Sequence, residues 1–326
     1  MESRIIEAKA APAKPEVQWH RVGEDSAGQR LDNLLLRLLK GVPKTHVYRV
    51  IRSGEVRVNK GRASADTRVA EGDLIRLPPV RMASPADTSA VPPREFPLLL
   101  EDDLLLAIDK PAGVAVHGGS GVSFGVIEQL RRARPQASFL ELVHRLDKET
   151  SGVLLLAKKR SALTTVQDQF RQRRTTKVYA ALVAGRWPPS LKVIDEALVK
   201  GLDAAGERHV RVSAADDAEA RRSITLVTVK RQYAEFALLD VAIKTGRTHQ
   251  IRVHLAHAGH PIVGDPKYGD FALNRRLARG DALPGLRFAR MFLHARQLAF
   301  DHPSDGRRIT LDATLPEDCA RLLEIL

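Results

Sequence analysis

Asp147 is the residue from which chemistry can first be argued in this chain. It lies in His144-Arg145-Leu146-Asp147-Lys148-Glu149-Thr150-Ser151-Gly152, with a cation on either side, and the string runs straight into Val153-Leu154-Leu155-Leu156-Ala157. A polar loop feeding a buried strand, with cations close by, would hold a carboxylate ionised and available. The plainer alternative is a turn aspartate whose basic neighbours face solvent, as most charged loop residues do.

Tyr179 is the second candidate. The segment Lys177-Val178-Tyr179-Ala180-Ala181-Leu182-Val183 alternates, so Tyr179 shares a face with Ala181 and Val183, and by pattern alone it is equally a core tyrosine. A third string, Gly246-Arg247-Thr248-His249-Gln250-Ile251-Arg252-Val253-His254, adds cations and histidines. His249, His254, His257 and His260 suggest a metal, but no carboxylate or thiolate completes a recognisable ligand set. His117-Gly118-Gly119-Ser120-Gly121 fits neither a phosphate-cradling loop, nor a serine elbow, nor a dinucleotide fingerprint.

These residues need a frame to hold them. Leu31, Leu34, Leu35, Leu38 and Leu39 form the stripe of an amphipathic helix, ended by Gly41 and Pro43, and a second helix begins near Lys44 with Val47, Val50 and Ile51 inward. Val56 to Asn59 alternates as a strand, Lys60-Gly61 and Gly72-Asp73 make turns, and Leu74 to Leu77 closes a module of residues 20–80. Residues 1–19 read as a flexible tail, and 81–97, with four prolines, as a linker. In 98–326 the β-rich runs 104–108, 178–183, 224–229 and 236–243 do not alternate regularly with helices. One helix carries Leu163, Val166 and Phe170 and ends among Arg171, Arg173 and Arg174. An α+β fold with a mixed, largely antiparallel sheet is expected.

With 52 Lys and Arg against 39 Asp and Glu, a net charge of +13, the chain should attract polyanions, nucleic acid first. No apolar run approaches the roughly 18 residues of a membrane span. The N-terminus lacks the layout of a secretion signal, and Cys319 is the single cysteine, so a cytoplasmic protein is expected.

Taken together, the Asp147, Tyr179 and Gly246-Arg247 strings resemble the motifs of the RluA-type pseudouridine synthases, and Lys110-Pro111-Ala112-Gly113 resembles that family's first motif. Gln29-Arg30-Leu31-Asp32, the basic second helix, Ser53 to Asn59 and Glu71 to Ile75 resemble an S4 domain, a small RNA-binding module. The run from His117 through Glu128 and Phe139 to Val143 is similar to the branch acting on 23S ribosomal RNA.

The resemblance implies an isomerase that converts several 23S rRNA uridines to pseudouridine, on free rRNA or a large-subunit precursor, as a monomer without cofactor or metal. It makes Asp147 the nucleophile, Arg247 its ionic partner, and Tyr179 a ring against the base that is also available to take the C5 proton. Arg145 would fill the space of a flipped base, and Lys110, Arg30, Lys44, Arg49, Arg52, Arg57 and Asn59 would contact RNA, with further phosphate contacts from Arg171 to Lys177. The alternatives are a family member acting on other 23S uridines and a non-catalytic rRNA-binding assembly factor.

Overall fold

Local periodicity and non-local pairing together build the N-terminal unit of the computed structural model, which describes residues 16–39, 42–80, 91–119, 124–202, 208–213, 217–283 and 285–326. The chain divides into two units between Ala90 and Val91. In the first, α1 (Leu31–Leu38) and α2 (Lys44–Arg52) bury Leu31, Leu34, Leu35, Val47, Val50 and Ile51 against a four-stranded sheet. Its strands β1 (Gln18–Arg21), β2 (Arg57–Val58), β3 (Gly61–Arg62) and β4 (Leu74–Leu77) lie in the order β1-β4-β2-β3.

Two expectations need correcting here. Gln18 and Trp19 belong to β1, not to a tail, because their backbones pair with Leu77 and Arg76 of β4. The turn between β2 and β3 is Asn59-Lys60, not Lys60-Gly61. Both residues have positive φ, 50° and 71°, as a two-residue hairpin turn matching the strand twist requires. Residues 1–15 of the expected tail, the stop at Gly41, residues 81–90 of the expected linker and 120–123 of the glycine string lie outside the described residues.

The second unit opens with β5 (Leu98–Glu101), β6 (Leu105–Lys110), α3 (Val126–Ala133), β7 (Glu141–Leu142) and β8 (Ser151–Ala157). Next come α4 (Arg160–Arg171), β9 (Thr176–Ala184), β10 (Val193–Leu202), β11 (Arg208–Val212), β12 (Arg221–Gln232) and β13 (Phe236–Ile243). It finishes with α5 (Gln250–His257), α6 (Phe271–Arg279), β14 (Leu293–Asp301), β15 (Arg308–Asp312) and α7 (Glu317–Ile325). The sheet runs β11-β10-β12-β13-β9-β14-β8-β6-β5, with β15 beside β14 and β7 beside β8. Among the described strands every pairing is antiparallel except β14 with β8, the mixed, largely antiparallel sheet of an α+β fold.

All seven residues of β8 are buried because both faces of the strand are covered. Val153, Leu155 and Ala157 pack with Leu163 and Val166 of α4, while Leu154 and Leu156 pack with Val126, Ile127 and Leu130 of α3. That double cover holds the β8 entrance still, and Asp147 sits just before it.

Candidate active site

Asp147 stands in the turn that leads from β7 into β8, and its own carbonyl accepts the Thr150 N–H at 3.1 Å. Lys110 fixes this turn from below. Its ammonium is fully buried and donates to the carbonyls of Pro111, Val114 and Lys148 at 2.9, 2.8 and 3.1 Å. Gly152 lets β8 approach β14, since a Cβ there would overlap the Ala295 carbonyl and its φ is +109°. Upstream, His144 Nε2 accepts the Leu155 N–H at 3.1 Å and its ring stacks on Phe170. Burial, followed by the Lys177 charge, takes the His144 pKa down to about 4, so the imidazole is neutral and free to accept.

The guanidinium beside Asp147 is Arg252, not the expected Arg247. Arg252 Nη1 lies 3.2 Å from Asp147 Oδ2, and the same side chain grips Asp265 through Nε and Nη2 at 2.7 and 2.8 Å. Asp265 is completely buried and also accepts the backbone N–H groups of Lys267 and Tyr268. Burial alone would raise its pKa, but Arg252 and those N–H donors outweigh burial and hold it below the usual carboxylate range. Burial likewise works against the Arg252 charge, and Asp265 and Asp147 more than restore it. A buried arginine held between two carboxylates places positive charge at Asp147 in one fixed geometry.

Arg247 is exposed on the loop ahead of α5, where it lines the pocket mouth. That loop is shaped by Gln250, which accepts from Thr245 Oγ1 and the Arg247 N–H and donates to the Ile224 carbonyl and Thr225 Oγ1. His249 takes a left-handed backbone, φ 54°, at the start of α5. Its Nδ1 lies 2.9 Å from the Tyr268 hydroxyl, within hydrogen-bond distance, and the same hydroxyl accepts the Val210 N–H. The other nitrogen, Nε2, lies 3.8 Å from Asp147. Burial lowers the His249 pKa, so the ring is uncharged at neutral pH and this contact is no ion pair.

Asp147, Arg145, Arg247, Arg252, Tyr179 and Lys177 line one pocket of about 260 Å³, with Phe170 and His144 in its wall. Tyr179 extends from β9 beside Val241 of β13 and packs partly on both adjoining cores. Burial first, and the negative charge of Asp147 second, push its pKa up, so it rests as a phenol. Lys177 is drawn in rather than offered to phosphate: its ammonium lies 5.4 Å above the Phe170 ring, and burial lowers its pKa.

Of the expected RNA contacts, Arg145 is exposed at the pocket and Lys44, Arg49 and Arg52 are exposed on α2 of the other unit. Lys110 is corrected to a buried structural cation. Arg30 is engaged by Asp32 through Nε and Nη2 at 3.1 and 2.8 Å. Arg57 donates to the Lys60 carbonyl, and the Asn59 amide closes its own turn by contacting Asp73 and the Leu74 N–H. The sequence reading missed Arg252, Asp265, His249 and Tyr268. One signal was present: Ile251, Val253 and Leu255 are interleaved with polar residues at every step, so a buried α5 has no polar face to turn outward.

The RNA pseudouridylate synthase family model matches residues 104–257, and the S4 domain model matches 29–75. Over 316 residues the chain is 46% identical to "Ribosomal large subunit pseudouridine synthase C" of Haemophilus influenzae, covering 95% of each chain. The protein of the same name in Escherichia coli is 46% identical over 318 residues, 96% of this chain and 97% of that one. Among solved structures, human RNA pseudouridylate synthase domain containing 4 aligns with a TM-score of 0.57 at 29% identity, over 71% of this chain and 92% of its own.

Proposed function

The chain belongs to the RNA pseudouridylate synthase family, is an isomerase and carries an S4 domain, and from that premise we propose that it converts several uridines of large-subunit ribosomal RNA to pseudouridine. In this reaction the C1′–N1 glycosidic bond breaks, uracil turns, C1′ is rejoined at C5, the C5 proton leaves and N1 regains one. There is no net redox change, so no cofactor is called for. The observation that carries the reading is the position of Asp147: partly exposed in a base-sized pocket, with Arg252 on one oxygen and Tyr179 in the same wall.

Asp147 acts as the nucleophile, at C1′ or at C6, or by inducing elimination. Arg252 keeps it oriented through the contact on Oδ2. A flipped uracil stacks on Tyr179, an interaction worth about 1–3 kcal/mol for an aromatic side chain, while Arg145 occupies the space it leaves. Part of the rise in the Tyr179 pKa comes from the Asp147 charge, and that charge vanishes once the carboxylate bonds to substrate. At that stage the phenol can pass its proton to the uracil anion left by glycosidic cleavage, where it becomes the N1–H of the product, and the resulting phenolate takes the proton that leaves C5. Tyr179→Phe is therefore expected to bind RNA within about threefold of wild type and to lose roughly a hundredfold in release of C5 hydrogen. Unchanged release would remove Tyr179 from proton transfer.

The reading is tested by mapping pseudouridines in the 23S rRNA of a deletion strain complemented with wild type or Asp147→Asn. Restoration by wild type alone is expected. Restoration by neither, with ribosome assembly nonetheless rescued by both, would favour a non-catalytic assembly factor.

A further inference from the structure

The outer face of the small sheet in the N-terminal unit is unlike the α2 face. Pairing places Trp19 opposite Arg76, Arg76 opposite Arg57, and Arg57 opposite Arg62, so these four stand in one row across β1-β4-β2-β3. Directly opposed residues share a face of the sheet. The next row back, His20, Ile75, Val58 and Gly61, faces the other way, where Ile75 is buried in the core of the unit.

Three steps at the usual strand spacing make the row roughly 14 Å long, about the length of a few stacked nucleotides. Trp19 is 51% exposed, whereas the second tryptophan, Trp187, is 2% exposed and donates its indole N–H to the Leu191 carbonyl. Arg76 and Arg57 each spend one donor on a backbone carbonyl, Glu55 and Lys60, which orients the side chain and leaves the other donors free. Arg21 sits two residues beyond Trp19 on the same face, and no carboxylate occupies any paired position of it among the described residues. At the far end, Arg62 and Arg52 line one pocket beside Tyr48, so the row runs on into the basic side of α2.

We propose that this face is an RNA-contact surface on which an unpaired base stacks on Trp19 and the adjoining phosphates lie along Arg76, Arg57 and Arg62. The proposal rests on RNA being the partner, as argued above, and adds where a single-stranded segment is held. Unpaired rather than duplex RNA is chosen because an exposed indole offers a stacking platform to a free base, and a base inside a duplex is already stacked.

Tryptophan fluorescence of the full chain tests it, titrated with a short single-stranded RNA and with the same sequence as a duplex. The single strand should quench emission and the duplex should do so far less. Trp19→Phe should abolish the quenching while keeping affinity within about threefold, and Trp19→Ala should weaken single-strand binding roughly tenfold. Replacing Arg57, Arg62 and Arg76 together by Gln should lower the salt slope of binding by about two, from three lost phosphate contacts. Quenching that survives in Trp19→Phe, or affinity and slope unchanged in the other variants, would overturn the proposal and leave the face to a protein partner. A wild-type chain that binds RNA in this way but forms no pseudouridine would instead sink the enzymatic reading and leave this one standing.

Discussion

Cations do opposite work in the two units. Around the pocket, Arg252 and Lys110 are buried and bonded inward: the three nitrogens of Arg252 to Asp265 and Asp147, the ammonium of Lys110 to three carbonyls. On the small sheet, Arg57, Arg62 and Arg76 sit at or near the surface with no carboxylate in their row. Burial makes an uncompensated charge costly, so a buried cation can hold a reacting group in place but cannot also reach for a ligand. An exposed cation gains little from a surface ion pair and stays available to phosphate.

The comparison is broken most forcefully at Arg252. Arg252→Met strands Asp265 as a buried, unpaired carboxylate and should cost about 3–5 kcal/mol in denaturant unfolding. Adding Asp265→Asn to that variant should recover much of the loss, because the stranded charge is gone. Activity should not return with it, since Asp147 still lacks its guanidinium. A double variant no more stable than the single one would mean that the pair is not the anchor described here.

Lys110 gives the next effect. Burial takes its ammonium from an ordinary value of 10.5 down to about 7. Between those values the unfolded chain holds a proton that the folded chain has released, so stability should rise with pH across that window. Lys110→Met removes the titration, and its stability should stay flatter over the same range. Parallel pH profiles for the two proteins would show that the folded lysine keeps its ordinary pKa.

Smaller effects belong to the exposed cations. Arg247→Gln should alter KM by only a few-fold with kcat nearly intact, as for a contact made equally in ground and transition states. Lys44→Gln, Arg49→Gln and Arg52→Gln should each move folding stability by less than about 0.5 kcal/mol while reducing the salt slope of RNA binding. A kcat loss in Arg247→Gln as large as that in Arg252→Met would return Arg247 to the role the sequence suggested.

What could be read from the chain follows the range of the interactions. The stripe Leu31, Leu34, Leu35, the run Val153 to Ala157 and the alternation around Tyr179 are local patterns, and each became the element expected of it. The partner of Asp147 depends on how α5 is rotated. Arg247 and Arg252 differ by five positions and look equally suitable in sequence, and only the burial of α5 against Asp265 separates them. Lys110 resembled an RNA contact because nothing local shows that the Pro111, Val114 and Lys148 carbonyls converge on it. Trp19 looked like tail because its strand partner, Arg76, lies far along the chain.

Asp147 carries the central claim, and loss of tritium from C5 of uridine reports on it directly, because C5 must give up its hydrogen when C1′ is joined there. Wild type and Asp147→Asn would be incubated with large-subunit rRNA tritiated at uridine C5, and their RNA affinities measured in parallel. Wild type should release tritium, and Asp147→Asn should bind the same RNA about equally well while releasing at least about a thousandfold less. Release by Asp147→Asn at the wild-type rate would show that the carboxylate of Asp147 is not the nucleophile.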